Sequence, residues 1–144
     1  MTDILNGLNN PQKEAVTTIQ GPVMVIAGAG SGKTKALTHR IAYMIQEGIN
    51  PFAIMALTFT NKAAKEMKDR VYGLIGKDAY SIQISTFHSL GLKILKENYD
   101  KLGYDKNFVI IDSDDALTVI KKIMKNMNMS PQYYNAKNIR NKIS

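Results

Sequence analysis

One stretch restricts the folds open to this chain more than any other: VMVIAGAGSGKTKALT, Val23 to Thr38. An apolar run leads into a glycine-rich turn, and a lysine and a threonine then open a helix-like segment. Val23 to Ile26 reads as a short buried strand. Gly28, Gly30 and Gly32 let the backbone curl with successive N–H groups turned inward, and the helix starting at Lys33 and Thr34 adds the positive end of its dipole. This order builds an anion cradle. In the phosphate-loop pattern G-x-x-x-x-G-K-[ST], the lysine reaches the β and γ phosphates and the hydroxyl residue holds magnesium. Here the stretch is AGAGSGKT, with Ala27 in the first position. A strand-end residue need not adopt positive φ, so alanine is tolerated there.

Upstream, Asn9 reads as a helix N-cap, Gln12 completes a capping box three residues later, and Pro11 fits the first turn. A cap at Asn10 is equally allowed. Gln12 has a second reading, because a side-chain amide near a nucleotide can give and accept one hydrogen bond at an adenine edge. Gly21-Pro22 ends this helix. Downstream, Thr34 to Gln46 is predicted helical, with Leu37, Ile41, Met44 and Ile45 on one buried face. Ile54 to Phe59 is a second strand, followed by a helix from Asn61 carrying Ala64, Met67, Val71 and Leu74 at helical spacing. Ile82 to Thr86 is a third strand, and Phe87 to Tyr99 a helix with Phe87, Leu90, Ile94 and Leu95 on one side.

Strand and helix alternating three times predict an α/β layered domain with parallel strands and crossover helices. Ligands of such sheets sit beyond the carboxyl ends of the strands. Ala27-Gly28-Ala29, Thr58-Phe59-Thr60 and Ser85-Thr86-Phe87 are therefore expected to share one working face. After Gly103 the texture changes. Asp112 or Ser113 caps a helix with Leu117, Ile120, Ile123, Met124 and Met127 inward and Lys121, Lys122 and Lys125 outward. Ser130-Pro131 starts a further segment, and Ala136 to Ser144 is predicted helical with little apolar face.

The 144 residues contain no cysteine, which excludes disulfides, thiolate metal sites and a cysteine nucleophile. Two histidines, His39 and His88, are too few for a histidine metal centre. No apolar run approaches the roughly 20 residues of a membrane span, and the first residues lack a signal-peptide pattern, so a cytoplasmic protein is expected. The net charge is +7, of which residues 1–60 hold only +1 and residues 61–110 and 111–144 each hold +3. A basic excess downstream of the loop suits a polyanion partner or a solvated lysine face.

Phe59 is either core or, among Thr58, Thr60, Asn61 and Lys62, an exposed ring on which a nucleic-acid base stacks. His88 reads as a base, a phosphate contact or a helix-start hydrogen bonder, and no pattern ties an acid to it as in a triad. No apolar run ends in the Asp-Glu pair that holds magnesium and positions water in phosphate-loop ATPases. Ile110-Ile111-Asp112 comes nearest, but the following Ser113-Asp114-Asp115 looks like a cap.

LNNPQKEAV, AGAGSGKT, LTFTNKAAKEM, STFHSLGLKIL and NFVIIDSDDAL occur in one order along the chain. With these motifs the chain resembles the UvrD/PcrA/Rep-type superfamily 1 DNA helicases, most nearly the PcrA group of Gram-positive bacteria. The resemblance implies a phosphate-loop NTPase fold, with residues 1–108 as the first part of a RecA-like ATP-binding domain. Residues 109–144 would begin an inserted helical subdomain. It also implies a chain continuing beyond Ser144, where the acidic magnesium-binding motif, arginine fingers and second RecA-like domain would lie.

The implied cofactors are ATP and Mg2+. Gln12, Ala27, Gly28, Ala29, Gly30, Ser31, Gly32, Lys33, Thr34 and Lys35 would bind nucleotide. Lys33 and Thr34 would be the catalytic pair, Lys33 stabilising phosphate charge and Thr34 ligating magnesium. Thr58, Phe59, Thr60, Asn61, Thr86, Phe87 and His88 would contact DNA. The implied partners are single-stranded DNA, single-strand/double-strand junctions and repair or replication proteins, with 3′ to 5′ movement driven by ATP. A helicase-nuclease subunit, a small-molecule phosphate-loop kinase and a non-catalytic nucleotide-binding or DNA-binding module are the alternatives. Two positions depart from the family. Lys35 stands where arginine is common, keeping charge without the planar fork, and Ser89-Leu90-Gly91 replaces a Ser-Met-Cys type stretch.

Overall fold

The structure is a computed structural model describing residues 3–130 and 132–143. Pro131 of the expected Ser130-Pro131 start and Ser144 of the last expected helix lie outside the described residues. The chain divides into two compact units, Met1–Glu97 and Asn98–Ser144.

The first unit is α/β. Helix α1 spans Asn10–Thr17, α2 Lys33–Gln46, strand β1 Met55–Thr58, α3 Asn61–Ile75, β2 Gln83–Thr86 and α4 Phe87–Glu97. β1 and β2 pair in parallel, with Met55 opposite Gln83 and Thr58 opposite Thr86. Two residues separate β1 from α3 and none separates β2 from α4, and α3 is a crossover between parallel neighbours. Its apolar stripe dictates how it packs: Ala64, Met67 and Val71 recur every three or four residues and are all buried. Met67 and Val71 meet Ile41 of α2, with Ile54, Ala56 and Ile82 from the strand region, in one cluster. Burying a side chain of this size contributes about 1.5–3 kcal/mol, so this cluster is the chief anchor of the sheet edge.

A second, smaller cluster joins Leu8, Val16 and Ala36, with Leu5 and Tyr43 against it. It seats α1 on α2. The expected capping box is present: Gln12 N donates to Asn9 Oδ1 at 2.9 Å, and Asn9 N donates to Gln12 Oε1 at 3.1 Å.

Four expectations need correction. On α2, Leu37 is exposed rather than on the buried face with Ile41. Val23 to Ile26 is not a strand, because the sheet of the described residues contains only β1 and β2. A strand is defined by hydrogen bonds to a neighbour, and this run has none from β1 or β2. Its side chains are correspondingly uncovered, with Met24 85% and Ile26 91% exposed. On α4, Phe87 and Ile94 are more than half exposed, so the expected apolar side is only partly covered. In the second unit, α5 (Ser113–Asn126) starts at the Asp112 cap, whose carboxylate accepts from the N–H groups of Asp114 and Asp115. Met124 is buried there, whereas Ile123 and Met127 are exposed. One short helix, α6 (Ala136–Ile143), packs against α5 and is too small to cover the whole apolar stripe.

Candidate functional site

The loop before α2 is shaped by two glycines in the left-handed region, Gly30 at φ 74° and Gly32 at φ 81°. Gly32 is the N-cap of α2 and supplies no side-chain cap. The first-turn N–H groups of α2 are therefore met by no capping side chain, and no acidic residue lies in that turn. Such a helix start favours an anion. Ser31 Oγ donates to the Gly28 carbonyl at 2.7 Å, closing the loop from within. Lys33 folds back on the loop entry, donating from Nζ to the carbonyls of Ala27 at 2.9 Å and Gly28 at 2.6 Å. Thr34, in the same first turn, is exposed.

Gln12 comes to this loop from 19 residues upstream, donating from Nε2 to the Ser31 carbonyl at 3.0 Å. A Cβ placed on Gly32 would lie 2.5 Å from that nitrogen. Gly32 is thus required twice, for its backbone angle and for the approach of Gln12. Gln12, Ala27, Ser31, Gly32 and Lys33 line one cavity of about 170 Å³. Ligand pockets usually enclose about 300–1,000 Å³, so this cavity is smaller than a typical ligand pocket. Lys35, expected beside them, donates instead to the Gly7 carbonyl at 2.7 Å.

At the strand ends the register does the assembly. Thr58 and Thr86 are aligned, and parallel neighbours lie about 4.8 Å apart. The next residues, Phe59 and Phe87, therefore emerge side by side, with ring centroids 5.7 Å apart. Phe59 is 90% exposed, which decides against the core reading. Asn61 and His88 are exposed in the first turns of α3 and α4. The threonines have local work. Thr58 Oγ1 donates to the Thr60 carbonyl, and Thr60 Oγ1 accepts from Ala63 N as the cap of α3. Thr86, buried, accepts from Ser89 N and bonds the Ser89 hydroxyl. Thr60→Ala is expected to lower stability by about 1 kcal/mol through loss of this cap, read as a reduced midpoint in a thermal melt.

Sequence reasoning missed His39 and Arg40, which tie the N-terminal segment to α2. His39 Nδ1 bonds the Ile4 carbonyl at 2.6 Å, and Arg40 donates to the carbonyls of Ala15 at 2.6 Å and Thr18 at 2.5 Å. Their acceptors are backbone atoms 22 to 35 residues earlier, and carbonyl acceptors leave no residue-type signal. The only clue was two basic side chains beside the apolar stripe of α2. Among the described residues, no cluster of His, Cys, Asp and Glu could hold a metal by itself, and no helix is long and apolar enough to cross a membrane.

A parallel strand pair with exposed residues at its carboxyl ends, and a start of α2 that favours an anion, define an α/β protein. The UvrD/REP helicase N-terminal domain family matches residues 8–144, and the chain belongs to this family. It is 50% identical over 142 residues to the ATP-dependent DNA helicase PcrA of Bacillus subtilis, covering 98% of this chain and 19% of that protein. The PcrA proteins of Staphylococcus aureus (strain Mu50) and Staphylococcus epidermidis are 49% and 48% identical over 135 residues, covering 93% of this chain. The chain spans 18% of the length of each of these two relatives.

Proposed function

We propose that this chain is the ATP-binding and single-stranded-DNA-binding N-terminal portion of an ATP-dependent DNA helicase. The observation that carries the reading is the convergence of Gln12, the loop from Ala27 to Lys33 and the uncapped start of α2 on one cavity. In this reading residues 1–108 form the first part of a RecA-like, phosphate-loop domain, and residues 109–144 begin a helical subdomain. The relatives' names supply ATP and DNA as the ligands to test.

The residues fit a magnesium triphosphate. The glycine-shaped loop turns N–H groups toward an anion, Lys33 carries a cation at the loop, and Thr34 offers one hard oxygen. Magnesium commonly takes few protein ligands and completes its shell with phosphate and water. Bound magnesium would neutralise charge on the phosphates. Lys33 would exchange the carbonyls of Ala27 and Gly28 for phosphate oxygens, gaining charge-assisted bonds. The loop N–H groups would hold the phosphates in place, and Gln12 would read adenine. Ala29, Gly30, Ser31 and Lys35 complete the proposed nucleotide set.

Phe59 and Phe87 would stack bases of a single strand, while Thr58, Thr60, Asn61, Thr86 and His88 border its path. Thr58, Thr60 and Thr86 would act mainly by fixing the starts of α3 and α4. The whole protein would move 3′ to 5′ on single strands and at junctions, in repair or replication in the cytoplasm. Hydrolysis would need groups from outside these residues.

The test is binding of a labelled oligothymidylate, read by fluorescence anisotropy at two salt concentrations. Affinity is expected to fall as salt rises, because lysines displace counterions. Phe59→Ala is expected to weaken binding about tenfold, within the range for one stacked base. A small-molecule kinase would bind no oligonucleotide, and unchanged binding by Phe59→Ala would remove the ring from the DNA path.

A further inference from the structure

Gln12 meets the loop at Ser31, but the helix that carries it is placed by residues outside the nucleotide set. Its amide has two lone pairs and two N–H groups. One lone pair accepts from Asn9 N, and one N–H donates to the Ser31 carbonyl. One of each is left, which is the number needed to pair with N6 and N7 of adenine. Guanine presents acceptors at both N7 and O6, so the remaining lone pair would face another acceptor. Discrimination between the two bases therefore depends on where Gln12 is held.

α1 has eight residues, too few for a helix to be stable alone in water. Its place is set by ties to α2. Arg40 donates from one guanidinium nitrogen to the carbonyls of Ala15 and Thr18, in the last turn and at the C-cap of α1. A cation there also complements the negative end of the helix dipole. His39 holds the Ile4 carbonyl ahead of the helix. Only carbonyl oxygen is available as the partner, so Nδ1 is the protonated nitrogen. Leu8 and Val16 pack on Ala36 between these ties. α2 begins at Lys33, two residues after Ser31, with Gly32 as its N-cap. One rigid helix therefore carries both the loop and the groups that locate Gln12 against it.

We propose that Arg40 and His39 are positioning residues that set the base selectivity of the nucleotide site through Gln12. The proposal rests on the reading of the loop as a nucleotide site and of Gln12 as its adenine contact. Removing either tie lets α1 shift on α2. A displacement of about 1 Å is enough to spoil a hydrogen-bonding geometry, while the phosphate cradle, built within residues 27–34, stays intact.

The test is titration of this chain with fluorescent ATP and GTP analogues in magnesium buffer, with a thermal melt of each variant. Gln12→Ala is expected to lower the ATP-over-GTP preference about tenfold. Arg40→Ala should reproduce that fall with GTP affinity changed less than about twofold. Arg40→Lys, which retains a cationic donor, should recover most of the preference, and Gln12→Ala with Arg40→Ala should fall no further than Gln12→Ala alone. An unchanged ratio in Arg40→Ala, or an equal loss for both nucleotides, overturns the proposal. Should Arg40→Ala fail to fold, His39→Ala carries the expectation at about threefold, and an unchanged ratio there overturns it. If Gln12→Ala leaves the ratio as it was, the adenine contact itself is wrong. If the unsubstituted chain binds neither analogue, the nucleotide-site reading is wrong.

Discussion

Lys33→Ala is expected to weaken binding of an ATP analogue by about 100-fold, with the melting midpoint almost unmoved. Each hydrogen bond from a charged donor contributes about 1.5–3 kcal/mol, and two such bonds to phosphate oxygens account for a loss of that size. Stability should not follow. Lys33 is exposed, and among the described residues its Nζ bonds the carbonyls of Ala27 and Gly28 on the loop. Exposed side chains of this kind usually change stability by no more than about 0.5 kcal/mol. Titration and melt together separate a ligand-binding lysine from a loop-folding one. Intact nucleotide affinity, or a large drop in midpoint, contradicts the role given to Lys33.

Gly32→Ala is expected to damage both stability and binding. Its φ of 81° lies where a side chain costs about 1–3 kcal/mol. The added Cβ would also stand 2.5 Å from Gln12 Nε2, so Gln12 must leave and its bond to the Ser31 carbonyl is lost. The melting midpoint should fall by about 3–8 °C, on the scale for a chain of this size. Nucleotide selectivity should fall with it, because the amide displaced is the proposed adenine contact. Gly91→Ala is the matched control. Gly91 lies inside α4, and a Cβ there meets nothing within 4 Å. Alanine should stabilise that helix by about 0.5–1 kcal/mol. Equal destabilisation by both substitutions would show that approach of Gln12 has no special weight at Gly32.

The local features were legible in the chain. The capping box of Asn9 and Gln12, the Asp112 cap of α5 and the stripe of Ala64, Met67 and Val71 all depend on residues within one or two turns of each other. The positions of β1 and β2 were also readable, to within one or two residues at their ends. Val23 to Ile26 was not, because apolar composition marks a segment that could join a sheet, while the strand itself requires a neighbour's backbone. The exposed faces of Ile123 and Met127 failed similarly: periodicity marks the stripe on α5, but the extent of cover depends on what packs there.

The site divides along the same line. The order of residues in AGAGSGKT determined a glycine-shaped turn with a lysine and a threonine at a helix start, because those features are local and steric. Only the tertiary structure decided which groups meet it. Gln12 crosses 19 residues to Ser31, Lys35 turns to Gly7, and His39 and Arg40 reach carbonyls up to 35 residues away. Phe59 and Phe87 become neighbours through a parallel register. These pairings depend on backbone atoms and strand alignment. Every residue type carries the same carbonyl, so their partners had no signature until the chain was folded.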